Sequence, residues 1–493
     1  MFENLMTGFS TLFTIEIMLM ILLGTLVGYF IGALPGLTPS IGIALLIPFT
    51  FTMDPIPGLI LLITLYVAAE YGGGITAIVL NAPGTPAAAA TSFDGYPLTQ
   101  KGEAGKALTV SIVASAIGAV ISAILLIFTA VPVAGVALQF GPAEYFALAV
   151  FGLSLVSSLS QGSMLKSLIA MLFGLMVITI GIDPVDGVVR FAFTNDLYSG
   201  VPFLPALIGL FALSEVFNMI ETSGQPQKRE ITKIKGFEGS LTALRKIKLT
   251  LVRAPLIGYV IGVIPGAGTT IASLISYNEA KRTAKDKESF GQGNPEGIAA
   301  SEGANNAAVP GSLGPLLALG IPGSASAAIL IGALTIHGLE PGPMLFTRTP
   351  EIPYSIFASL LLTAPLMLAF GLLGVHMWVR VTLIPKHILG IIVGSICILG
   401  AYAYSNSMYP VWIMLIFGVV GYIFRKANIP TTPVVLAMVL GFLMEVNFRR
   451  AMVVSGGDVG FIFSQPIAAV LLVLAGLSLF VPIIKSFRKP NNT

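Results

Sequence analysis

Four of the Pro-Gly steps in this chain interrupt apolar segments, and their spacing suggests that they form one site. Residues 28–41 read GYFIGALPGLTPSI and are echoed by residues 258–271, GYVIGVIPGAGTTI. A second step follows each copy, at Pro83-Gly84 and at Pro322-Gly323. A helix broken inside a bilayer leaves backbone N–H and C=O groups unpaired, so such breaks are tolerated only where protein or a water-lined cavity satisfies them. Paired breaks at corresponding places in two halves indicate a transporter's binding site.

The chemistry that these breaks offer is the binding of a small anion together with a cation. Amide N–H groups at broken helix ends suit a carboxylate, and freed carbonyls with Ser or Thr hydroxyls suit Na⁺. For a single break the alternative is a Pro kink or close packing at glycine, and nearby polar side chains could equally join helices. Four breaks in repeat register favour the site. The candidate substrate-binding residues are Pro35, Gly36, Thr38, Ser40, Asn81, Pro83, Gly84, Thr85, Pro265, Gly266, Gly268, Thr269, Asn305, Asn306, Pro322, Gly323 and Ser324.

Two carboxylates, Glu70 and Glu302, are the acidic residues nearest the breaks. Ionisable groups at membrane depth usually have a function, so both are candidate ligands of a proton or cation. The alternative for Glu302 is a position at the membrane surface. We expect no cofactor beyond a coupling ion, Na⁺ or H⁺, and no metal centre, since the chain has one Cys and three His. No P-loop, HExxH or GxSxG motif is present, and no nucleophile has a convincing partner, so we expect no enzyme.

The elements that must position these residues are membrane helices. Of the 493 residues, 55% are hydrophobic and only 10% are charged, and the mean hydropathy is +0.92. A soluble domain of ordinary composition is far less apolar. We therefore predict an all-α polytopic membrane protein with about twelve helical segments, embedded in a lipid bilayer and without a nucleic-acid partner.

Basic residues divide the chain and orient it. A first membrane repeat is predicted at 1–220, a basic cytoplasmic linker at 221–253, with Lys228, Arg229, Lys233 and Lys235 among its basic residues, and a second membrane repeat at 254–493. Basic loops flank both ends of the second Pro-Gly element, which favours a re-entrant hairpin over two spanning helices. The flanks of the first, 1–14 and 53–57, have no Lys or Arg.

Opposite flanking charge on matched repeats predicts inverted topology. Each repeat is then expected to contain a re-entrant Pro-Gly hairpin and a discontinuous transmembrane helix. Arg425 and Lys426 fall on the cytoplasmic side in this arrangement. Arg449-Arg450 falls outside and is the one exception to the charge rule.

Long motifs resemble the large membrane subunit of the tripartite tricarboxylate transporters, the TctA family. They are YGGGITAIVLNAPGTPAAAATSFDGYPLTQKGEAGKAL, GVIPGAGTTIASLISYNEAKR, FGQGNPEGIAASEGANNAA and ALGIPGSASAAILIGALTIHG, and the resemblance covers nearly the whole chain. The sequence departs from the family in having SEGANN where PEAANN is usual, and in an added break at 309–311.

The resemblance implies a multi-pass permease subunit in the bacterial inner membrane. Its implied partners are a small membrane subunit and a periplasmic substrate-binding protein, and its substrate is a small carboxylate such as citrate, taken up by symport with a cation. Assembly as a homodimer through the helices at 107–131 and 354–379 is one option. The alternatives are an anion channel, which would favour rings of charge or a repeated filter, and a stand-alone secondary transporter of another small organic anion.

Overall fold

The computed structural model describes residues 2–159, 163–222 and 236–488. The helices of the first half are α1 (Phe2–Leu12), α2 (Ile15–Ala33), α3 (Pro39–Thr50), α4 (Pro55–Leu80), α5 (Ala89–Gln100), α6 (Ala104–Ala137), α7 (Pro142–Leu159), α8 (Met164–Ile178), α9 (Phe203–Leu207) and α10 (Ser214–Thr222). A π-helical turn, Ile208–Leu213, joins α9 to α10. Between α8 and α9 lie two short antiparallel strands, β1 (Gly181–Ile182) and β2 (Val189–Arg190).

The second half also consists of long helices with short interruptions. Its helices are α11 (Ser240–Lys246), α12 (Lys248–Val263), α13 (Gly268–Thr283), α14 (Pro295–Leu319), α15 (Ala325–Ile336), α16 (Met344–Arg348), α17 (Glu351–Leu373), α18 (Val375–Val381), α19 (Lys386–Ala403), α20 (Tyr409–Lys426), α21 (Thr432–Val454), α22 (Gly460–Ser464) and α23 (Pro466–Arg488). The predicted linker is partly helical, because α11 and the start of α12 fall within it. Its residues Lys228, Arg229, Lys233 and Lys235 lie outside the described residues.

Within the described residues, nine helices are long and apolar enough to cross a membrane. Four shorter apolar helices, α3, α8, α15 and much of α23, accompany them, so the set is close to the expected twelve. The chain is a multi-pass membrane protein of the all-α class, as its composition predicts.

The first kind of break is a short turn between two helices, set by glycine. Between α2 and α3, Gly36 has φ +100°, and Thr38 caps α3 by accepting the N–H of Ile41 at 3.4 Å. Between α12 and α13, Gly266 and Gly268 have φ +77° and +62°. These left-handed conformations are strained for residues with a Cβ, so the sequence itself fixes where each helix ends.

The second kind of break divides α4 from α5 and α14 from α15. Asn81 ends α4 in the left-handed conformation with φ 52°, and Gly320 ends α14 in the same way with φ 73°. After each break, a hydroxyl caps the start of the next helical segment. Thr85 accepts the N–H of Ala88 at 3.4 Å, and in the second half Ser324 accepts the N–H of Ala327. The predicted interruptions are therefore present at both places.

The long helices α4 and α14 form the centre of the molecule. Helix α4 packs on α2, and α14 packs on α12 and α6. A Cβ added at Gly28 of α2 would lie 2.5 Å from the carbonyl oxygen of Leu65, and one at Gly258 of α12 would lie 2.3 Å from that of Ala304. Within each pair, the two helices therefore approach each other closely at a glycine, as is common where membrane helices pack. The two glycines occupy corresponding positions in the sequence.

Arg449, which departs from the charge pattern, is paired with acidic side chains. One of its nitrogens lies 2.7 Å from Asp183 and 3.6 Å from Glu445, and it also contacts Asp186. Asp183 and Asp186 lie on the segment between α8 and α9. These carboxylates neutralise the Arg449 guanidinium in the folded protein.

Candidate functional site

All four breaks line one cavity of about 600 Å³. It lies among helices of both halves, and helices α10 and α20 close another part of its wall. Ten of the predicted substrate-binding residues line it, namely Gly36, Thr38, Ser40, Pro83, Gly84, Thr85, Gly266, Gly268, Thr269 and Ser324. The segments that the sequence places far apart are thus brought together around one space.

Hydroxyl contacts join the two halves across this cavity. The Oγ atoms of Ser40 and Ser326 lie 2.9 Å apart, and the Tyr66 hydroxyl lies 2.8 Å from Oγ of Ser324. Ser40 and Tyr66 belong to the first half, while Ser324 and Ser326 belong to the broken helix of the second. Tyr66 and Ser326 are absent from the predicted set, although both line the cavity. A Tyr within an apolar helix carries no local sign of its partner.

The two Pro-Gly loops after α4 and α14 are packed against backbone. A Cβ added at Gly84 would lie 2.2 Å from the carbonyl oxygen of Gly32, and one at Gly323 would lie 2.3 Å from that of Gly262. In the second half the N–H of Gly266 also donates to the carbonyl of Gly323 at 3.2 Å. These glycines are therefore required by close backbone approach in the protein itself.

Glu70 is a buried carboxylate in the wall of the cavity. It is 4% exposed, and its Oε1 accepts a hydrogen bond from the Thr269 hydroxyl at 3.1 Å. Its Oε2 has no hydrogen-bond partner in the described part of the chain. Asn305 donates to the backbone carbonyl of Glu70 at 3.2 Å, while Oδ1 of Asn305 is also buried and unpartnered there. Leaving buried oxygens without a hydrogen-bond partner costs free energy.

Glu302, in contrast, is fully buried and its hydrogen bonds are satisfied. Oε1 accepts from the Thr91 hydroxyl at 2.5 Å, and Oε2 accepts from the Ser115 hydroxyl at 3.0 Å. It lies on α14, beside α5 and α6, and does not line the cavity. Glu302 is therefore enclosed by protein, and its depth in the bilayer stays a prediction.

Eight predicted residues do not line the cavity: Pro35, Asn81, Pro265, Asn305, Asn306, Pro322, Gly323 and Glu302. The three prolines and Gly323 belong to the breaks themselves, and Asn81 ends α4. Asn306 is fully buried, and neither polar atom of its side chain has a partner in the described chain. Among the described residues, no group of three or more His, Cys, Asp or Glu side chains could hold a metal ion.

Sequence reasoning missed an ion pair in the wall, formed by Glu215 of α10 and Arg425 of α20. Glu215 is the second residue after the π-helical turn, and such turns often occur at functional sites. The available signal was an acidic residue within an apolar segment. The sequence marks Arg425 only as a basic residue at a helix end.

The chain is similar to known proteins over most of its length. Residues 18–436 match the model of the tripartite tricarboxylate transporter TctA family. The chain is 35% identical to an uncharacterized 52.8 kDa protein in the TAR-I ttuC' 3'region of Agrobacterium vitis, over 99% of this chain and 97% of that protein. It is also 35% identical to an uncharacterized protein in the TAR-II ttuC' 3'region of the same organism, over 47% of this chain and 96% of that protein. No solved structure matches the chain. The chain belongs to the tripartite tricarboxylate transporter TctA family.

Proposed function

We propose that this chain is the permease subunit of a binding-protein-dependent secondary transporter in the bacterial inner membrane. It carries small carboxylates, tricarboxylates such as citrate among them, together with Na⁺ or H⁺. The observation that carries the proposal is the convergence of four helix breaks on one cavity of about 600 Å³. Broken helices present backbone N–H and C=O groups to a ligand without a fixed charge, which suits a substrate that must bind and then leave.

The matched contacts of the two halves support a pair of structural repeats. Gly28 and Gly258 meet equivalent carbonyls, and Gly84 and Gly323 do so as well. Together with the opposite charge on the flanks of the two hairpins, these contacts favour inverted topology. Alternating access then follows from motion of the break-containing helices against the remaining ones. A channel would need one continuous path through the protein, and the paired breaks favour transport over it.

Glu70 is the better of the two candidate cation ligands. It faces the cavity, and its Oε2 is unpartnered in the described chain, as is Oδ1 of the adjacent Asn305. The Thr269 hydroxyl, which donates to Oε1 of Glu70, is a further oxygen in the cavity wall. Oxygen ligands of this kind suit Na⁺, and the carboxylate alone suits H⁺. Both oxygens of Glu302 already accept hydrogen bonds, which favours a structural role for that residue.

The family description supports two partners, a small membrane subunit and a periplasmic substrate-binding protein. The binding protein captures the carboxylate and delivers it to the permease, so the permease alone should transport poorly. We also propose that the complex forms a homodimer, which the molar mass from light scattering of the purified complex tests.

Uptake into proteoliposomes tests the proposal. Radiolabelled citrate, succinate and acetate are offered to vesicles that hold this chain alone or with both partners, under an imposed Na⁺ or proton gradient. We expect little uptake by the chain alone, and uptake of citrate or succinate by the full complex that depends on one gradient. The variant Glu70→Gln should lose that dependence.

Two results contradict parts of the proposal. Full uptake without partners refutes dependence on a binding protein, and uptake unaffected by either gradient refutes cation coupling. The matched control is Gly135→Ala, because an added Cβ at this position of α6 meets no atom within 4 Å.

A further inference from the structure

Arg425 is the one basic side chain among the described residues that line the cavity. It lies in the last turn of α20 and pairs through Nη1 with Oε2 of Glu215 on α10. The two partners differ in exposure: the Glu215 side chain is 5% exposed, whereas that of Arg425 is 49% exposed. The guanidinium is therefore accessible to a ligand, while its carboxylate partner is held within the protein.

This ion pair lies directly beside the first break. A Cβ added at Gly36 would lie 2.8 Å from Oε1 of Glu215, so the turn between α2 and α3 contacts the carboxylate. At the equivalent turn of the second half, a Cβ added at Gly266 would instead meet Val156 at 2.7 Å. An ion pair is thus present beside one of the two corresponding turns, whereas the other has the Glu70 carboxylate, which accepts a hydrogen bond from Thr269.

Glu215 keeps a hydrogen bond that does not depend on Arg425. The side-chain amide of Asn218 donates to its Oε1 at 3.0 Å. A guanidinium presents five N–H donors in a planar fork that matches a carboxylate in two-point geometry. The guanidinium of Arg425 is half-exposed, and its counter-ion Glu215 keeps the hydrogen bond from Asn218 when the guanidinium binds another anion.

We propose that Arg425 binds a carboxylate group of the substrate, and that Glu215 is its counter-ion while the cavity is empty. An entering carboxylate competes with Glu215 for the guanidinium, and a second carboxylate of the same molecule binds the N–H groups at the breaks. A substrate with two or more carboxylates is thereby preferred over one with a single carboxylate. This inference rests on the proposed function and assigns a specificity-determining residue to it.

The alternative is a purely structural ion pair, in which Arg425 serves only to neutralise a buried acid. Removing one partner of such a pair is strongly destabilising, whereas removing both is often tolerated. The double variant Arg425→Gln with Glu215→Gln therefore separates the two roles, since it leaves no unpaired buried charge.

The experiment measures KM for citrate and succinate uptake by the reconstituted complex. We expect Arg425→Gln to raise KM at least tenfold and Glu215→Gln to lower it, because the competing anion is gone. The double variant should be as stable as the wild type in size-exclusion chromatography and should retain the raised KM. A double variant with wild-type KM overturns the inference. Lys426→Gln is the matched control, because Lys426 pairs with Glu221 at the same end of α20 and does not line the cavity.

Restoration of charge gives a second readout. In a chain with Cys397→Ser, the variant Arg425→Cys should regain citrate uptake after modification with a cationic methanethiosulfonate reagent and not with an anionic one. Equal effects of both reagents count against the inference. If the wild-type complex transports no carboxylate at all, the proposed function fails and this assignment fails with it. If the wild-type complex transports carboxylates but substitution of Arg425 leaves KM unchanged, only the assignment is refuted.

Discussion

Alanine at Gly84 or Gly323 gives the most direct test of the packing that forms the site. The added Cβ would lie 2.2 Å from the carbonyl oxygen of Gly32 in one half and 2.3 Å from that of Gly262 in the other. Ordinary contacts between heavy atoms lie near 3.5 Å, so each break would have to move away from its neighbouring helix by on the order of 1 Å. Both obstacles are backbone atoms that cannot rotate aside.

Overpacking of this kind costs about 1–3 kcal/mol, and we expect the upper part of that range for both variants. At about 1.4 kcal/mol for each factor of ten, the ratio of folded to unfolded protein should fall by roughly 100-fold. The two costs should be similar, because the contacts are equivalent in the two halves. Gly135→Ala is the control, since its Cβ meets nothing within 4 Å and alanine favours the helix by about 1 kcal/mol.

The assay follows the fraction of detergent-purified protein that stays monodisperse after heating, together with carboxylate uptake by the complex. We expect Gly84→Ala and Gly323→Ala to lose the monodisperse fraction and carboxylate uptake at a lower temperature than the wild type. Stability equal to that of Gly135→Ala in both variants would show that the loops are not packed against backbone. A loss confined to one of them would show that the two halves are not equivalent.

Three further predictions concern topology, pH and the second acid. Cysteines placed at Asp54 and Lys285, in a chain without the native cysteine, should be labelled from opposite sides of the membrane by an impermeant maleimide; labelling of both from one side contradicts inverted topology. Backbone N–H groups in the following turn and two arginines hold the pKa of Asp183 below its usual value. The contribution of the Asp183 carboxylate to stability is therefore present above about pH 3.9 and is lost as the pH falls through the lowered pKa. The melting-temperature difference between wild type and Asp183→Asn should therefore shrink in acid, and an unchanged difference at pH 3 contradicts this. Glu302→Leu should destabilise the protein by about 1–3 kcal/mol in thermal unfolding, because two buried hydroxyls lose their acceptors, while Glu302→Gln should keep the cation dependence of uptake; loss of that dependence would make Glu302 the coupling residue.

Local rules made the breaks predictable. Gly36 and Gly266 adopt left-handed backbone, and Pro cannot continue a helix ladder, so the ends of α2 and α12 follow from the sequence alone. The capping hydroxyl of Thr38 is visible in the same way. Such features depend on a few neighbouring residues, so they can be predicted without knowledge of the fold.

Contacts between distant segments were not predictable. Glu215 and Arg425 are 210 positions apart, and neither has a neighbour in the sequence that indicates its partner. The π-helical turn before Glu215 packs against α20, which is distant in the sequence. The sequence predicts α14 only as part of a discontinuous helix, because Gly, Pro and Asn lower its hydropathy. It is buried along nearly its whole length, so protein rather than lipid surrounds it.

The burial of α4 and α14 has a consequence for biogenesis. Helix α4 is apolar enough to enter the bilayer alone, although in the finished molecule its membrane segment is completely covered by protein. Helix α14 is not among the helices with that hydropathy, and the helices it packs on most, α6 and α12, precede it in the chain. Since synthesis proceeds from the N-terminus, these earlier helices can already be in the membrane when α14 leaves the translocon. We expect α6 and α12 to act as a template for the insertion of α14, so that the order of these helices in the chain matters for assembly.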